Sequence, residues 1–228
     1  MTRHSFTSAK PLCLIKKTLS FMSLFMLSGP AAWSLGTNSM NVNGISPKFE
    51  GGLEFGGEEL LSVRSTTGKV NSVEAGAGIS FKAGLAVPLL TQTDSPLELQ
   101  AMVGYKTTNT PKYTNGSATW SHNPMEVLIF KTLNHSPTAK ELKLRAGIGV
   151  VHHLNNRFEG EGLFAPLSTD FKNATGAVFA ADLNPSGQDL QTWKWRVGMR
   201  ATMITYHTPT NQSLSGNSLG VTMTFTRK

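Results

Sequence analysis

From Val73 to Val87 every second residue is apolar: Val73, Ala75, Ala77, Ile79, Phe81, Ala83, Leu85 and Val87, interleaved with Glu74, Gly76, Gly78, Ser80, Lys82 and Gly84. A period of two is the mark of a β-strand whose two faces meet different surroundings. Fifteen residues is far longer than the five or six of an ordinary strand. A chain with such a segment needs a sheet that is deep, two-faced and closed, because a long open edge invites pairing with other chains.

The pattern recurs. Lys48 to Gly57 sets Phe49, Gly51, Leu53 and Phe55 against Lys48, Glu50, Gly52 and Glu54, and Leu97 to Tyr105 sets Leu97, Leu99, Ala101, Val103 and Tyr105 against Glu98, Gln100, Met102 and Gly104. A fourth segment, Thr119 to Thr132, carries Met125, Val127 and Ile129 around Glu126; Pro124 predicts a bulge or late start there, since proline cannot donate to a ladder. A fifth runs from Leu142 to Val150, a weaker sixth from Ala174 to Asp182, a seventh from Trp193 to Met203 and an eighth from Leu219 to Phe225. Eight long antiparallel strands predict an all-β, up-and-down transmembrane barrel, because nine to eleven tilted residues cross a bilayer. Ser65–Asn71, Thr107–Ala118, Asn155–Phe171 and His207–Asn217 then become the outer loops, and Pro88–Pro96, Leu133–Ala139 and Asn184–Asp189 the inner turns.

The first 34 residues carry Arg3, Lys10, Lys16 and Lys17 and no acid, then an apolar stretch from Leu19 to Leu27, then Ala32-Trp33-Ser34. Basic head, short apolar middle and small-residue exit predict a signal peptide over 1–34, a short periplasmic segment over 35–46 and the barrel over 47–228. Removing the leader leaves 17 cations against 14 acids, about +3 instead of +7, which weakens any case for a nucleic-acid partner. It also removes Cys13, the single cysteine, so thiol chemistry and disulfides are excluded from the exported part.

Alternation alone also fits a soluble, lipocalin-like barrel with its apolar face inward. Glycine decides between them. Gly52, Gly76, Gly78, Gly84, Gly104, Gly147, Gly149, Gly198 and Gly220 all lie on the polar face. Small residues suit the confined interior of eight strands and gain nothing on a solvated wall. The apolar face therefore points to lipid, with Phe49, Tyr105, Trp193, Trp195 and Phe225 as an aromatic girdle. The inward charges are Glu50, Glu54, Glu74, Lys82, Glu98 and Glu126 from the first four strands and Lys143, Arg145, Lys194, Arg196 and Arg200 from the fifth and seventh. Charges in a confined lumen must pair, so an ion-pair and water network with no continuous pore is expected.

Gly51-Gly52-Leu53-Glu54-Phe55-Gly56-Gly57, Leu97 through Lys106, Pro124-Met125-Glu126 and Gly216-Asn217-Ser218-Leu219-Gly220 give the chain a resemblance to the small bacterial outer-membrane β-barrels of the OmpA/OmpX type. The resemblance spans nearly the whole exported chain. It implies location in the outer membrane of a Gram-negative cell, insertion by the barrel assembly machinery, contact with outer-membrane lipid and lipopolysaccharide, and no enzymatic activity. Members of that class end on an aromatic residue, whereas this chain continues three residues past Phe225.

No motif for phosphate, thiol, metal or serine-hydrolase chemistry is present in the sequence. His152 and His153 are adjacent and point to opposite faces of a strand, so they cannot share one metal. Glu159, Glu161 and Asp170 match no calcium-binding spacing. A lipid A-modifying hydrolase would need a histidine-activated serine, for which His207 with Ser213 or Ser215 is the available pair. The expectation is a monomeric, non-enzymatic barrel without metal or cofactor. Its role is structural or surface-interacting through outer-loop residues such as Lys112, Tyr113, Phe158 and Phe164; a lipid A hydrolase, a soluble binding barrel and a narrow channel are the alternatives.

Overall fold

A computed structural model describes residues 44–64, 68, 70–90, 96–110, 116–133, 143–185 and 193–227. The expected leader, most of the segment after it, and Lys112 and Tyr113 lie outside the described residues. In chain order the strands are β1 (Ser46–Phe55), β2 (Glu59–Arg64), β3 (Val70–Glu74), β4 (Gly78–Leu90), β5 (Leu97–Asn109), β6 (Ala118–Thr132), β7 (Lys143–Gly160), β8 (Thr169–Asp170), β9 (Ala174–Asn184), β10 (Trp193–Met203), β11 (Thr205–His207), β12 (Ser213–Ser215) and β13 (Ser218–Arg227).

Eight of these close into a ring. β1 pairs with β4, β4 with β5, β5 with β6, β6 with β7, β7 with β9, β9 with β10, β10 with β13, and β13 returns to β1, every pairing antiparallel. The last join is a continuous ladder from Lys48↔Thr226 to Phe55↔Leu219, so among the described residues each of the eight wall strands is paired on both sides. Pro124 sits beside a register shift between Ser121 and Asn123, where the β6–β7 ladder absorbs the missing donor.

The fifteen-residue alternation is not one strand. It breaks at Ala75-Gly76-Ala77, where the chain turns and Gly78 adopts φ +143°, a conformation L side chains rarely take. Val73 and Ala75 thus belong to a β2–β3 hairpin folded over the outer mouth, and both are fully buried instead of facing outward. Val70 and Asn71, expected in an outer loop, are instead strand residues paired with Arg64 and Val63. A second hairpin, β11–β12, rises from the neighbouring strands β10 and β13, and the Glu58 amide ahead of β2 donates to its Ser215 carbonyl at 2.7 Å. β7 also runs ten residues beyond Val150 to Gly160, roughly 33 Å of extended chain at about 3.3 Å per residue.

Beneath these hairpins lies an apolar core of Val73, Ala118, Trp120, Phe158, Ile204 and Tyr206, against which Leu60, Leu61, Phe171 and Leu214 pack. Trp120 makes edge contacts with Phe171 at 5.0 Å and Tyr206 at 5.2 Å, and its indole N–H donates to the Ala75 carbonyl at 3.0 Å. Buried aromatics contribute most here because each removes a large apolar area and still finds a partner for its polar atom.

Candidate functional site: a charge-filled lumen beneath an apolar cap

The strand periodicity sends alternate side chains in and out, and the wall is inverted relative to a soluble protein. Phe49, Leu53, Phe81, Val127, Ile129, Ile148, Val150, Met199, Val221 and Met223 face outward and are exposed. Their neighbours Lys48, Glu50, Lys82, Glu126, Arg145 and Arg200 are buried inside. Water would be a poor solvent for that exterior, and an apolar band of this extent marks a lipid or partner surface. The soluble-barrel alternative requires the opposite arrangement.

At the centre, Glu50 and Glu126 share two cations. Lys82 Nζ lies 2.6 Å from Glu126 Oε1 and 3.4 Å from Glu50 Oε1. Arg200 donates to Glu126 Oε2 at 3.0 Å and to Glu50 Oε2, on which the Thr224 hydroxyl also donates at 3.3 Å. Toward the end that carries Ser46 and Arg227, Lys48 meets Glu50 and the Gln100 amide, Gln100 donates to Glu98, and Arg145 holds Glu98 at 2.9 Å. Toward the cap, Lys106 pairs with Glu54 at 2.7 Å and the Ser218 hydroxyl donates to the same carboxylate at 2.8 Å. Paired and hydrogen-bonded in this way, buried charges are tolerated that would be prohibitive alone.

The inward glycines make this crowding possible. A Cβ on Gly147 would sit 2.8–2.9 Å from the Phe130 ring, which fills the lumen and carries the Arg145 guanidinium 4.6 Å above its centroid.

Of the eleven charges assigned to the lumen from sequence, Glu50, Glu54, Lys82, Glu126, Arg145, Arg196 and Arg200 are buried there. Glu98 is partly open, and Lys143 and Lys194 are half-buried near the barrel end. Glu74 is a correction: it lies at the base of the outer hairpin and accepts from the Gly56 amide at 3.2 Å, outside the network, because the chain turns before it can enter the wall. Lys48, Lys106 and Asp182 were missed as members. Lys48 and Asp182 sit on inward parity within recognised segments, and Lys106 lies one residue beyond the expected end of the third strand. Acids and bases are therefore not divided between the two halves of the wall, since Lys48, Lys82 and Lys106 come from the first half and Asp182 from the second.

Phe49, Tyr105, Trp193 and Phe225 are exposed on the outer wall, with Phe49 and Trp193 6.0 Å apart, and Trp195 is half-buried. Phe158 is a second correction. It is 3% exposed and packs inside the cap, because the β7 wall extends past the expected loop start at Asn155. Phe164 is half-buried in a 3-10 turn, Gly162–Leu167, whose large exposed apolar residues are Leu163 and Leu167.

The two adjacent histidines separate as expected. His152 meets the Thr175 hydroxyl at 2.8 Å, while His153 is buried, stacked on His122 at 4.2 Å and 2.6 Å from the Tyr206 hydroxyl. Burial pushes the Tyr206 hydroxyl pKa upward, with the Glu54 charge adding to it, so the phenol stays protonated. Among the described residues no group of three or more His, Cys, Asp or Glu gathers to hold a metal. Arg157 pairs with Glu159 at 2.9 Å and Asp170 at 3.4 Å on the exposed outer extension of β7 and β8. Ser213 Oγ lies 3.3 Å from His207 Nδ1; both are exposed, and among the described residues no carboxylate hydrogen-bonds to that imidazole.

No protein-family model and no curated protein matches the sequence. Among solved structures, Ail, the attachment invasion locus protein of Yersinia pestis in complex with the heparin analogue sucrose octasulfate, aligns at 7% identity and TM-score 0.41, over 80% of this chain and 97% of that one. Ail alone aligns at 9% identity and TM-score 0.39, over 80% and 97%. The outer membrane protein AlkL in DMPC lipid bilayers aligns at 12% identity and TM-score 0.36, over 86% and 93%. The barrel itself carries the conclusion: eight antiparallel strands closed in an up-and-down ring, apolar outside and ionic within, are the architecture of the small transmembrane β-barrels.

Proposed function

We propose that the protein is a monomeric, non-enzymatic outer-membrane β-barrel of a Gram-negative cell, exported by its leader and serving a structural or surface-interaction role. The observation that carries this reading is the inverted wall, in which exposed Phe81, Val127 and Met199 back onto buried Lys82, Glu126 and Arg200. Among the described residues, side chains bridge the lumen at Glu50–Arg200–Glu126 and Trp120 and Tyr206 pack above it, which supports a barrel without a continuous aqueous path. The outer ends present exposed Leu163 and Leu167 on a tall, rigid wall, where loops on a scaffold ordinarily carry recognition.

Three measurements test the proposal. The protein fractionates with outer membranes and shifts on a gel only after boiling. Purified barrel in planar bilayers gives no resolved conductance steps. Lipid A incubated with it keeps its acyl chains, and His207→Ala changes nothing. Recovery as a detergent-free periplasmic protein, stepwise conductance, or deacylation lost in His207→Ala would each refute the corresponding part.

A further inference from the structure

Among the described residues the barrel wall has a notch where β9 parts from β10. β9 stays paired to β7 up to His153↔Ala174, but its ladder with β10 stops at Met203↔Ala177. Beyond that point β10 continues as β11, which pairs with β12 instead. The chains meet again only where the Lys172 amide donates to the His207 carbonyl at 2.8 Å. Between the two joins lies an open surface groove of about 430 Å³ lined by Asn173, Thr175, Ile204, Thr205, His207 and Asn217, with Ala174 and Met203 completing it. That volume lies within the range of small-ligand sites.

Its chemistry is one-sided. The lining holds two amides, two hydroxyls and an imidazole, and no carboxylate. Asn217 Oδ1 is already engaged by the Ile204 amide at 2.9 Å, which leaves its NH₂ as a donor. Lys172 stands beside Asn173 in the chain with its ammonium on the exposed surface, 2.5 Å from Asn211 Oδ1. The notch opens on the outside of the wall, because Thr175, Met203, Thr205 and His207 are all exposed. Directly below it the outward residues are Phe179, Met199 and Met203, the top of the apolar band.

We infer that this notch is a headgroup site for a phosphorylated lipid of the outer leaflet. The phosphate is held by the Asn173, Asn217, Thr205 and His207 donors with Lys172 at the rim, and the acyl chains lie down the Phe179–Met199–Met203 face. Continuity with the apolar band selects a lipid over a soluble anion. The inference rests on the membrane reading above.

The test is native mass spectrometry of the folded barrel released from mixed micelles doped with lipid A, beside the same lipid lacking its phosphates. One phosphorylated lipid retained per barrel, and at least tenfold less of the dephosphorylated form, is the expected result. Thr205→Trp, which fills the notch, and Asn217→Asp, which keeps the acceptor for the Ile204 amide while adding a repelling charge, each lower retention at least fivefold. Boiling-dependent gel mobility shows that each variant is folded. Undiminished retention in both folded variants, or equal retention of the two lipids, overturns the site. A barrel that fails to float with vesicles overturns the membrane reading instead, so the two failures are distinct.

Discussion

Arg200 on β10 and Glu126 on β6 meet across the middle of the barrel, guanidinium NH1 3.0 Å from Oε2, although 74 residues separate them in the chain. The same guanidinium reaches Glu50 on β1, so one side chain ties together three walls of the lumen. Replacing Arg200 by Met strands two buried carboxylates with Lys82 as their remaining shared cation. The expected cost is about 3–5 kcal/mol, read as a lower urea midpoint for tryptophan fluorescence of the refolded protein. Arg200→Met combined with Glu126→Gln should recover part of it; a double variant no better than the single one would mean the pair is not coupled.

Gly147 faces Phe130 with no room for a methyl group. Gly147→Ala should cost about 1–3 kcal/mol by overpacking, and Phe130→Leu in the same chain should relieve most of that loss. The comparison is made by thermal midpoints of the gel-mobility shift. Equal midpoints for wild type and Gly147→Ala would show that the ring moves aside freely.

The lipid-facing wall predicts an asymmetry between neighbours. Val127→Arg, outward and exposed, should destabilise the membrane-inserted state by about 2–4 kcal/mol if it lies near the bilayer midplane. The same substitution on a water-facing strand would be almost silent. Reversible refolding into vesicles measures it, and a negligible effect would place that residue in water.

Trp120 joins both hairpins to the long β6–β7 wall, and truncating it removes the centre of the cap. Trp120→Ala should cost about 3–5 kcal/mol and act locally. Proteolysis within residues 59–74 should accelerate while the heat-modifiable barrel persists. Simultaneous loss of both would make cap and barrel one cooperative unit.

Tyr206 supplies a pH dependence. Its hydroxyl is held protonated by burial, with an upward-shifted pKa, whereas an unfolded tyrosine ionises near about 10. The unfolded state therefore binds fewer protons above that pH, and the contribution is intact below about 10 and lost progressively above it. Wild type should lose more stability between pH 9 and 11 than Tyr206→Phe, with denaturant midpoints as the readout; parallel profiles would show that the hydroxyl is not the group responsible.

Much of the barrel was legible because its instruction is local. Alternation names a strand and its two faces without reference to any partner, and glycine on the polar face says which side is confined. Glu50, Lys82, Glu126, Arg145 and Arg200 could be assigned to one face from parity alone. The misreadings have a common cause. Val73 and Glu74 carry the right parity but precede the turn at Ala75-Gly76-Ala77, and parity is blind to a strand that stops and folds back. Phe158 looked like a loop residue because polar Asn155, Asn156 and Arg157 mask the continuation of β7, which is sustained by pairing with β6 up to Gly160.

The amino-acid pattern thus determined the number of wall strands, their sidedness and many of the inward charges, since each depends on contacts two residues apart. Which acid meets which base, where the outer mouth is sealed, and where β9 parts from β10 are set by ring closure. Register and tilt bring together side chains tens to well over a hundred residues apart, and no local periodicity encodes that distance.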